Sequence, residues 1–209
     1  MDLFEAIRTR RSIRKFHPDR VPDDDVRQIL EAARLAPSSS NLQPWRFIVI
    51  RDRECILSLA KAVNDVFDQR IVANPEEERR LVESNVRFFS THFGEAPLVI
   101  VALVQGQLKG DPAELIVEPA DLQSVAAAVQ NLLLAATALG YGTCWMTGPI
   151  ETARTEIETI LGIERSWVPM ALIPVGRIAY HPRPRPCKSL AEIAVFVGPS
   201  LAEEETEGE

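Results

Sequence analysis

Hydrophobic positions along the chain alternate between helical spacing and unbroken runs. Leu3, Phe4 and Ile7 share one face of a short helix predicted over residues 1–9. Pro18 closes the basic segment that follows. Pro22 and three successive aspartates, Asp23 to Asp25, then open a second helix, with Val26, Ile29, Leu30 and Ala33 at helical spacing and an end at Ala36-Pro37. Residues 38–45 are polar and lead directly into an apolar strand over residues 47–50. Helical spacing returns at Ile56, Leu59, Ala60, Val63 and Phe67. Asn74, Pro75 and three glutamates have the form of a helix start, and that charged helix is expected to run to about His92.

Residues 98–104 form an unbroken apolar run, the pattern of a strand covered on both faces. Residues 106–119 show little periodicity and are expected to form a loop over or beside a pocket. Residues 120–139 are helical in pattern and apolar nearly all round, which predicts a central buried helix. Gly140-Tyr141-Gly142 breaks it. A short strand is expected over residues 143–146, a tight loop over 147–149, and a helix capped by Thr152 that stops at Gly162. Residues 167–175 read as a strand, and Pro169 and Pro174 place those positions at an edge or at strand ends. Residues 181–186 are stiff and extended, and residues 190–197 make a last apolar segment. There is no internal repeat and no linker. The pattern predicts one α+β domain over residues 1–198 and an acidic, disordered tail over residues 199–209.

Composition narrows the function. The chain is 46% hydrophobic and 25% charged, ordinary globular values, with 30 acidic against 23 basic residues. The net charge of −7 argues against general binding of nucleic acid or anionic membrane. Asp2 and Glu5 stand where a signal peptide needs positive charge, and no apolar run approaches the length of a membrane span, so the expected home is the cytoplasm. Cys55, Cys144 and Cys187 are scattered without a CxxC pair, and His17, His92 and His181 have no ligand spacing; no metal site is expected. Neither a nucleophile elbow nor a dinucleotide or P-loop glycine pattern occurs. If the protein is an enzyme, a cofactor must carry the hard chemistry.

Three polar clusters remain. Five of the eight residues from Arg8 to Lys15 are basic, and Ser12 adds a hydroxyl. Arginine forks bind phosphate bidentately, although cations also suit the negative end of a helix. The second cluster, residues 37–45, offers hydroxyls and amides to the edge of a heteroaromatic ring, or is simply a capped turn with Trp45 in the core. In the third, Met146-Thr147-Gly148-Pro149, the glycine lets backbone N–H groups approach a planar ligand, or serves a plain strand-to-helix turn. Arg183, Arg185 and Lys188 form a smaller cationic group that could complete a phosphate site.

Taken in order, these motifs resemble one family. Arg10-Arg11-Ser12-x-Arg14-x-Phe16, Ala36-Pro37-Ser38-Ser39-x-Asn41-x-Gln43-Pro44-Trp45, Gly94-Glu95-Ala96-Pro97 before an apolar strand, and Gly140-Tyr141-Gly142-Thr143-Cys144-Trp145 before a glycine loop resemble the FMN-dependent nitroreductases. So does the stretch from Pro169 to Gly176 ahead of a basic, proline-rich segment, and the likeness runs from about residue 1 to 197. The resemblance implies a central, mostly antiparallel sheet flanked by helices in an intertwined homodimer, with FMN shared between two subunits. It assigns Arg10, Arg11 and Ser12 to the phosphate and ribityl chain, and Arg14 to the pyrimidine edge near N1 and O2. Pro37, Ser38, Ser39, Asn41 and Gln43 would come from the partner chain. A backbone N–H in the Met146, Thr147, Gly148 loop would face N5, and Arg185 would add a phosphate contact. Relatives often carry Arg where this chain has Cys187, which leaves open whether Arg183, Arg185 or Lys188 replaces it. The implied activity is an NADH- or NADPH-dependent reduction of nitroaromatic, quinone or related small acceptors by a ping-pong cycle. No catalytic side chain is required. Alternatives on the same fold are dehalogenation of iodotyrosines, fragmentation of reduced flavin, oxidation of peptide-derived substrates, or flavin binding without catalysis; lid regions over residues 76–92 and 106–119 would decide among them.

Overall fold

Strand β2 (Leu98–Gln105) is the spine of the molecule in the computed structural model, which describes residues 1–73, 91–108, 115–183 and 186–197. Every β2 residue except Gln105 is buried, as expected of a strand covered on both faces. It pairs antiparallel with β1 (Trp45–Ile50), Trp45 opposite Val104 and Ile50 opposite Val99. On its other edge it pairs antiparallel with a long strand over Trp167–Arg177, Leu98 opposite Val175. That strand, β6, pairs in turn with β5 (Tyr141–Thr143), giving the order β1-β2-β6-β5 with every neighbour antiparallel. A separate two-stranded ladder joins β3 (Gln107–Leu108) to β4 (Leu115–Ile116).

Side chains alternate across a strand, and β2 uses this to build two cores. Leu98, Ile100, Ala102 and Val104 face α2 (Asp23–Arg34) and α4 (Pro119–Ala138). Val99, Val101 and Leu103 face α3 (Arg53–Ala73) and α5 (Gly148–Leu161). The result is helix, sheet, helix in three layers, an α+β fold as the sequence suggested. Ile29 of α2 and Leu132 of α4 are fully buried on one side, Ile56 and Ile157 on the other, and each such side chain contributes roughly 1.5–3 kcal/mol of transfer free energy. Asn131 Nδ2 donates to Ala32 O at 3.1 Å and ties α4 to α2.

The short first helix, α1 (Leu3–Thr9), starts where Asp2 accepts a 2.8 Å bond from the Glu5 N–H. Only Ala6 of α1 is buried, whereas Leu3, Phe4 and Ile7 are 60%, 68% and 50% exposed. The last helix, α6 (Leu190–Ile193), carries a Ser189–Glu192 capping box and has no buried residue.

Several expectations need correction. The strand expected over residues 143–146 is instead Tyr141–Thr143, and Gly142 belongs to it; only Met146 is bridged further on, to Leu172. The helix expected to be capped by Thr152 begins at Gly148, with Pro149 in its first turn, and bends at Ala153 (φ −135°, ψ 45°). β6 lies inside the sheet, yet β5 pairs only with Val175, Gly176 and Arg177, so Pro169 and Pro174 stand where that side of β6 is open, as expected. β6 tolerates its prolines because of two local features. A register shift between Ala102 and Leu103 loosens the ladder near Pro169. Pro174 sits on the same edge as Leu172, whose N–H points to Met146, and β5 ends at Thr143 before it reaches Pro174.

The loop expected over residues 106–119 contains the β3–β4 ladder. α4 is buried along one stripe, from Asp121 through Ser124, Val125, Ala128, Val129, Leu132 and Leu133 to Ala136, and is not covered all round. His92 sits buried in a 3₁₀ turn (His92–Glu95). The rest of the charged helix expected over residues 74–92, most of the supposed lids and the acidic tail lie outside the described residues.

Candidate functional site

The basic stretch is not a helix end but an added edge of the sheet. α1 stops at Thr9, and Arg10, with ψ 132°, turns the chain extended. Ser12 then bridges Thr143 of β5 in parallel, Phe16 bridges Ile178, and the Ile13 N–H donates to Thr143 O at 2.8 Å. Ile13 (1% exposed) and Phe16 (8%) anchor the segment in the core. The anchors explain why a run of cations can hold still: its apolar members pull it down while its polar members project.

Ser12 and Arg14 turn into a cavity of about 520 Å³ that Arg8, Arg10, Arg11, Pro182, Arg183 and Cys187 also line. Among the described residues, five arginines and no carboxylate line it. Arg14 is half-buried and its Nη1 donates to Ser12 O at 3.3 Å. In a setting partly shielded from water these charges act on an anion more strongly than they would in bulk solvent. Arg11 plays a different part. Its Nη1 donates to Arg8 O and Arg10 O, both at 2.8 Å, so it closes the carbonyl end of α1.

The strand that leads into the glycine loop runs beside Ser12, although no residue of the loop itself is among those that line the cavity. From Thr143, against Ser12, the chain passes Cys144, whose thiol burial pushes up, while Arg14, Ser12 and Arg10 oppose that shift. Buried and hydrogen-bonded only weakly, to Trp145 O at 3.9 Å, Cys144 is a packed thiol and not a nucleophile. Met146 is buried and exchanges backbone bonds with Leu172 at 3.0 and 2.9 Å. Its N–H is therefore taken. Of the three residues expected to offer a backbone donor, Thr147 and Gly148, at the start of α5, remain.

The polar loop is built tightly but lies elsewhere. Ser40, Asn41 and Gln43 all hold left-handed φ values, 49°, 56° and 51°. Three such residues without glycine in one loop mark backbone that the surroundings impose, a feature concentrated at functional sites. Its bonds are local: the Gln43 N–H donates to Ser38 Oγ at 3.0 Å, and Gln43 Nε2 to Asn41 Oδ1 at 3.3 Å. One bond reaches out, from the Ser39 N–H to Ser124 Oγ at 3.2 Å, near the start of α4. Pro37 precedes this turn and is exposed. Thr137, thirteen residues further along the same helix, shares a cavity with Arg10 and Arg11. At 1.5 Å per residue those helix positions are about 20 Å apart. One chain therefore sets the first cluster beside the strand that leads to the third and leaves the second at the far end of α4.

Arg185 lies outside the described residues. Arg183, named in the sequence as an alternative, lines the cavity, as does Cys187; exposed Lys188 does not. Among the described residues no group of histidine, cysteine and carboxylate side chains could hold a metal. None of their helices is long and apolar enough to cross a membrane.

Comparison with known proteins bears on the family and the fold. Residues 7–177 match the nitroreductase family. A protein of Methanothermobacter thermautotrophicus, named for NADH dehydrogenase or NAD(P)H nitroreductase activity, is 33% identical over 187 residues, 88% of this chain and 82% of its own length. A nitroreductase-type structure from Desulfovibrio desulfuricans, solved in complex with FMN, is 31% identical with a TM-score of 0.68, covering 95% of this chain and 98% of that one. A BluB-like flavoprotein from Clostridium difficile superposes with a TM-score of 0.80 at 26% identity, over 95% of this chain and all of that one.

Proposed function

Because the chain belongs to the nitroreductase family, we propose that it binds FMN between two copies of itself and passes hydride from NADH or NADPH to a nitroaromatic, quinone or related small acceptor. The cavity around Ser12, lined among the described residues by five arginines and no carboxylate, carries this reading. FMN brings a phosphate and a ring whose pyrimidine edge gains negative charge on reduction, and the donor set suits both ends. When bound, the flavin supplies the redox chemistry, taking hydride at N5 and yielding it to the acceptor in a ping-pong cycle.

The residues divide by position. Arg10, Ser12 and Arg183 would hold the phosphate and ribityl chain. Arg14, half-buried and oriented by Ser12 O, would supply the cation for N1 and O2, where a fixed positive charge favours the reduced, anionic ring. The Thr147 or Gly148 N–H would be the donor offered to N5. Arg11 supports the site by closing α1. Cys144 lies behind Arg14 and Ser12 as a neutral wall.

Two observations support a homodimer. The Ser38, Ser39, Asn41, Gln43 loop sits at the opposite end of α4 from the arginines and needs a second chain to reach a flavin. Leu3, Phe4 and Ile7 of α1, and Leu190, Ile193, Val195, Phe196 and Val197 near the C-terminus, are all at least half exposed, an apolar surface that asks for cover. The test is stopped-flow mixing of the FMN-loaded protein with NADH and NADPH separately, followed by a panel of acceptors. A colourless protein that takes up no added FMN would sink the proposal.

The similarity to a BluB-like flavoprotein favours one second reading, a specialised flavoenzyme on the same fold. It predicts slow reoxidation of the reduced protein by every nitroaromatic and quinone tried.

A further inference from the structure

Four of the five arginines that line the flavin cavity among the described residues are already committed. Arg11 spends its Nη1 on Arg8 O and Arg10 O. Arg14 is oriented by Ser12 O, and Arg10 and Arg183 are given to the phosphate. Arg8 remains. Its guanidinium makes no hydrogen bond and no ion pair with any described residue, and no carboxylate among them lines the cavity beside it. A cation in the last turn of a helix ordinarily suits the carbonyl end of that helix. In α1 that end is already served: Ala6 O takes the Arg10 N–H at 2.9 Å, Glu5 O takes the Thr9 hydroxyl at 2.7 Å, and Arg11 covers the Arg8 and Arg10 carbonyls. Ile7 lines the same cavity, so the last turn of α1 borders it through two successive residues.

A phosphate monoester presents about two negative charges near neutral pH and three strong acceptor oxygens. Arg10 offers one fork from the segment after α1, and Arg183 another from the chain beyond β6. A third oxygen calls for a third donor, whereas riboflavin, which lacks the phosphate, calls for none. We infer that Arg8 is that donor and determines specificity for phosphorylated flavin over riboflavin. It also ties α1, of which only Ala6 is buried, to the cofactor. The inference rests on the reading of this cavity as the flavin phosphate site.

The experiment is fluorescence titration of the flavin-free, full-length protein with FMN and, separately, with riboflavin, for the wild type, Arg8→Ala and Arg8→Lys. The wild type is expected to bind FMN more tightly than riboflavin. Arg8→Ala is expected to weaken FMN about three- to thirtyfold, less than a fully shielded charged bond because Arg8 is exposed, and to leave riboflavin within about twofold. Arg8→Lys, which keeps the charge and loses the fork, should fall between. If Arg8→Ala does not fold, Arg8→Lys decides: a narrowed preference for FMN supports the inference and an unchanged one overturns it. Unchanged FMN affinity in Arg8→Ala would overturn it too. So would an equal loss for FMN and riboflavin, which would make Arg8 a structural part of α1, or equal affinity of the wild type for the two flavins. A wild-type protein that takes up neither flavin would defeat the flavin reading together with this one, whereas tight FMN binding that ignores Arg8 would defeat this one alone.

Discussion

Replacing Gly142 with Ala tests how the cationic segment is held. Gly142 lies in β5 opposite Gly176, and Ile13 covers it from the next layer of chain. A Cβ built at Gly142 would stand 2.7 Å from Ile13 Cβ, 2.7 Å from Cγ2 and 2.8 Å from Cγ1. Carbon atoms in good contact sit about 3.5–4.0 Å apart, so the two strands of chain must separate by about 1 Å. Ile13 cannot swing aside, because it is 1% exposed and its N–H is bonded to Thr143 O at 2.8 Å. Overpacking of this kind costs about 1–3 kcal/mol, which for a chain of this size is a fall in Tm of roughly 2–12 °C. Ser12 and Arg14 flank Ile13, so the same displacement moves both donors and FMN should bind more weakly as well. Thermal unfolding of the flavin-free protein and a fluorescence titration with FMN read the two effects separately. Ile13→Ala alone should cost about 2–5 kcal/mol, and the double variant less than the sum, because the truncated side chain leaves room for the new methyl. Unchanged melting together with unchanged flavin affinity in Gly142→Ala would refute this account of the close approach.

Three further outcomes follow from named contacts. Arg14→Ala removes one charge-assisted contact to the ring and should weaken FMN by about ten- to a hundredfold with little change in Tm, as a flavin titration and a melt would report. Arg11→Ala should do the reverse: it uncaps α1 and lowers Tm by about 2–4 °C, while FMN affinity stays within about threefold. Tyr141→Phe removes the buried bond to Asp25 and should destabilise the protein, with a pH signature. Burial first, then the bond to Asp25, raises the Tyr141 pKa from 10.0 to about 12. Between those values the unfolded chain has lost the proton that the folded chain keeps. The stability this group contributes is therefore full below about pH 10 and lost as pH rises toward 12. Denaturant melts across pH 8–12 should show that part of the alkaline decline in the wild-type protein and not in Tyr141→Phe.

Elements whose side chains decide their own burial were legible in the sequence. The runs over residues 47–50 and 98–104 became neighbouring strands, and Val26, Ile29 and Ala33 are the buried stripe of α2. Elements decided by the backbone of a neighbour were not. Gly142 read as a helix breaker, yet its lack of a Cβ serves Ile13, 129 residues away in the chain. Pro169 and Pro174 were legible as edge positions, since a proline in a central strand forfeits a ladder bond, but what leaves that side of β6 open was not. The bulge near Pro169 and the early end of β5 beside Pro174 remove that cost, and both depend on other segments. Thr152 has the chemistry of a cap, but Pro149 one turn earlier starts the helix.

The site was legible as a set of clusters and not as a place. Arg10, Ser12 and Arg14 stand beside the strand that leads to the glycine loop because Ile13 and Phe16 pin the first segment beside β5. Ser38, Ser39, Asn41 and Gln43 looked equivalent to them in the sequence, yet Ser124 anchors their loop about 20 Å away along α4. That separation makes the two halves independently testable. If the flavin lies between chains, a variant defective in Arg14 and one carrying Ser39→Pro, which removes the N–H that Ser124 holds, should each bind FMN poorly alone. Mixed and refolded together they form some heterodimers in which one of the two sites is built from two intact halves and the other from two defective ones. About half the chains in the mixture enter such heterodimers if pairing is random. One intact site in each gives about a quarter of the wild-type flavin content, measured as bound FMN per chain after gel filtration. A mixture that binds no more than its components would place both clusters in one chain's site and refute the shared arrangement.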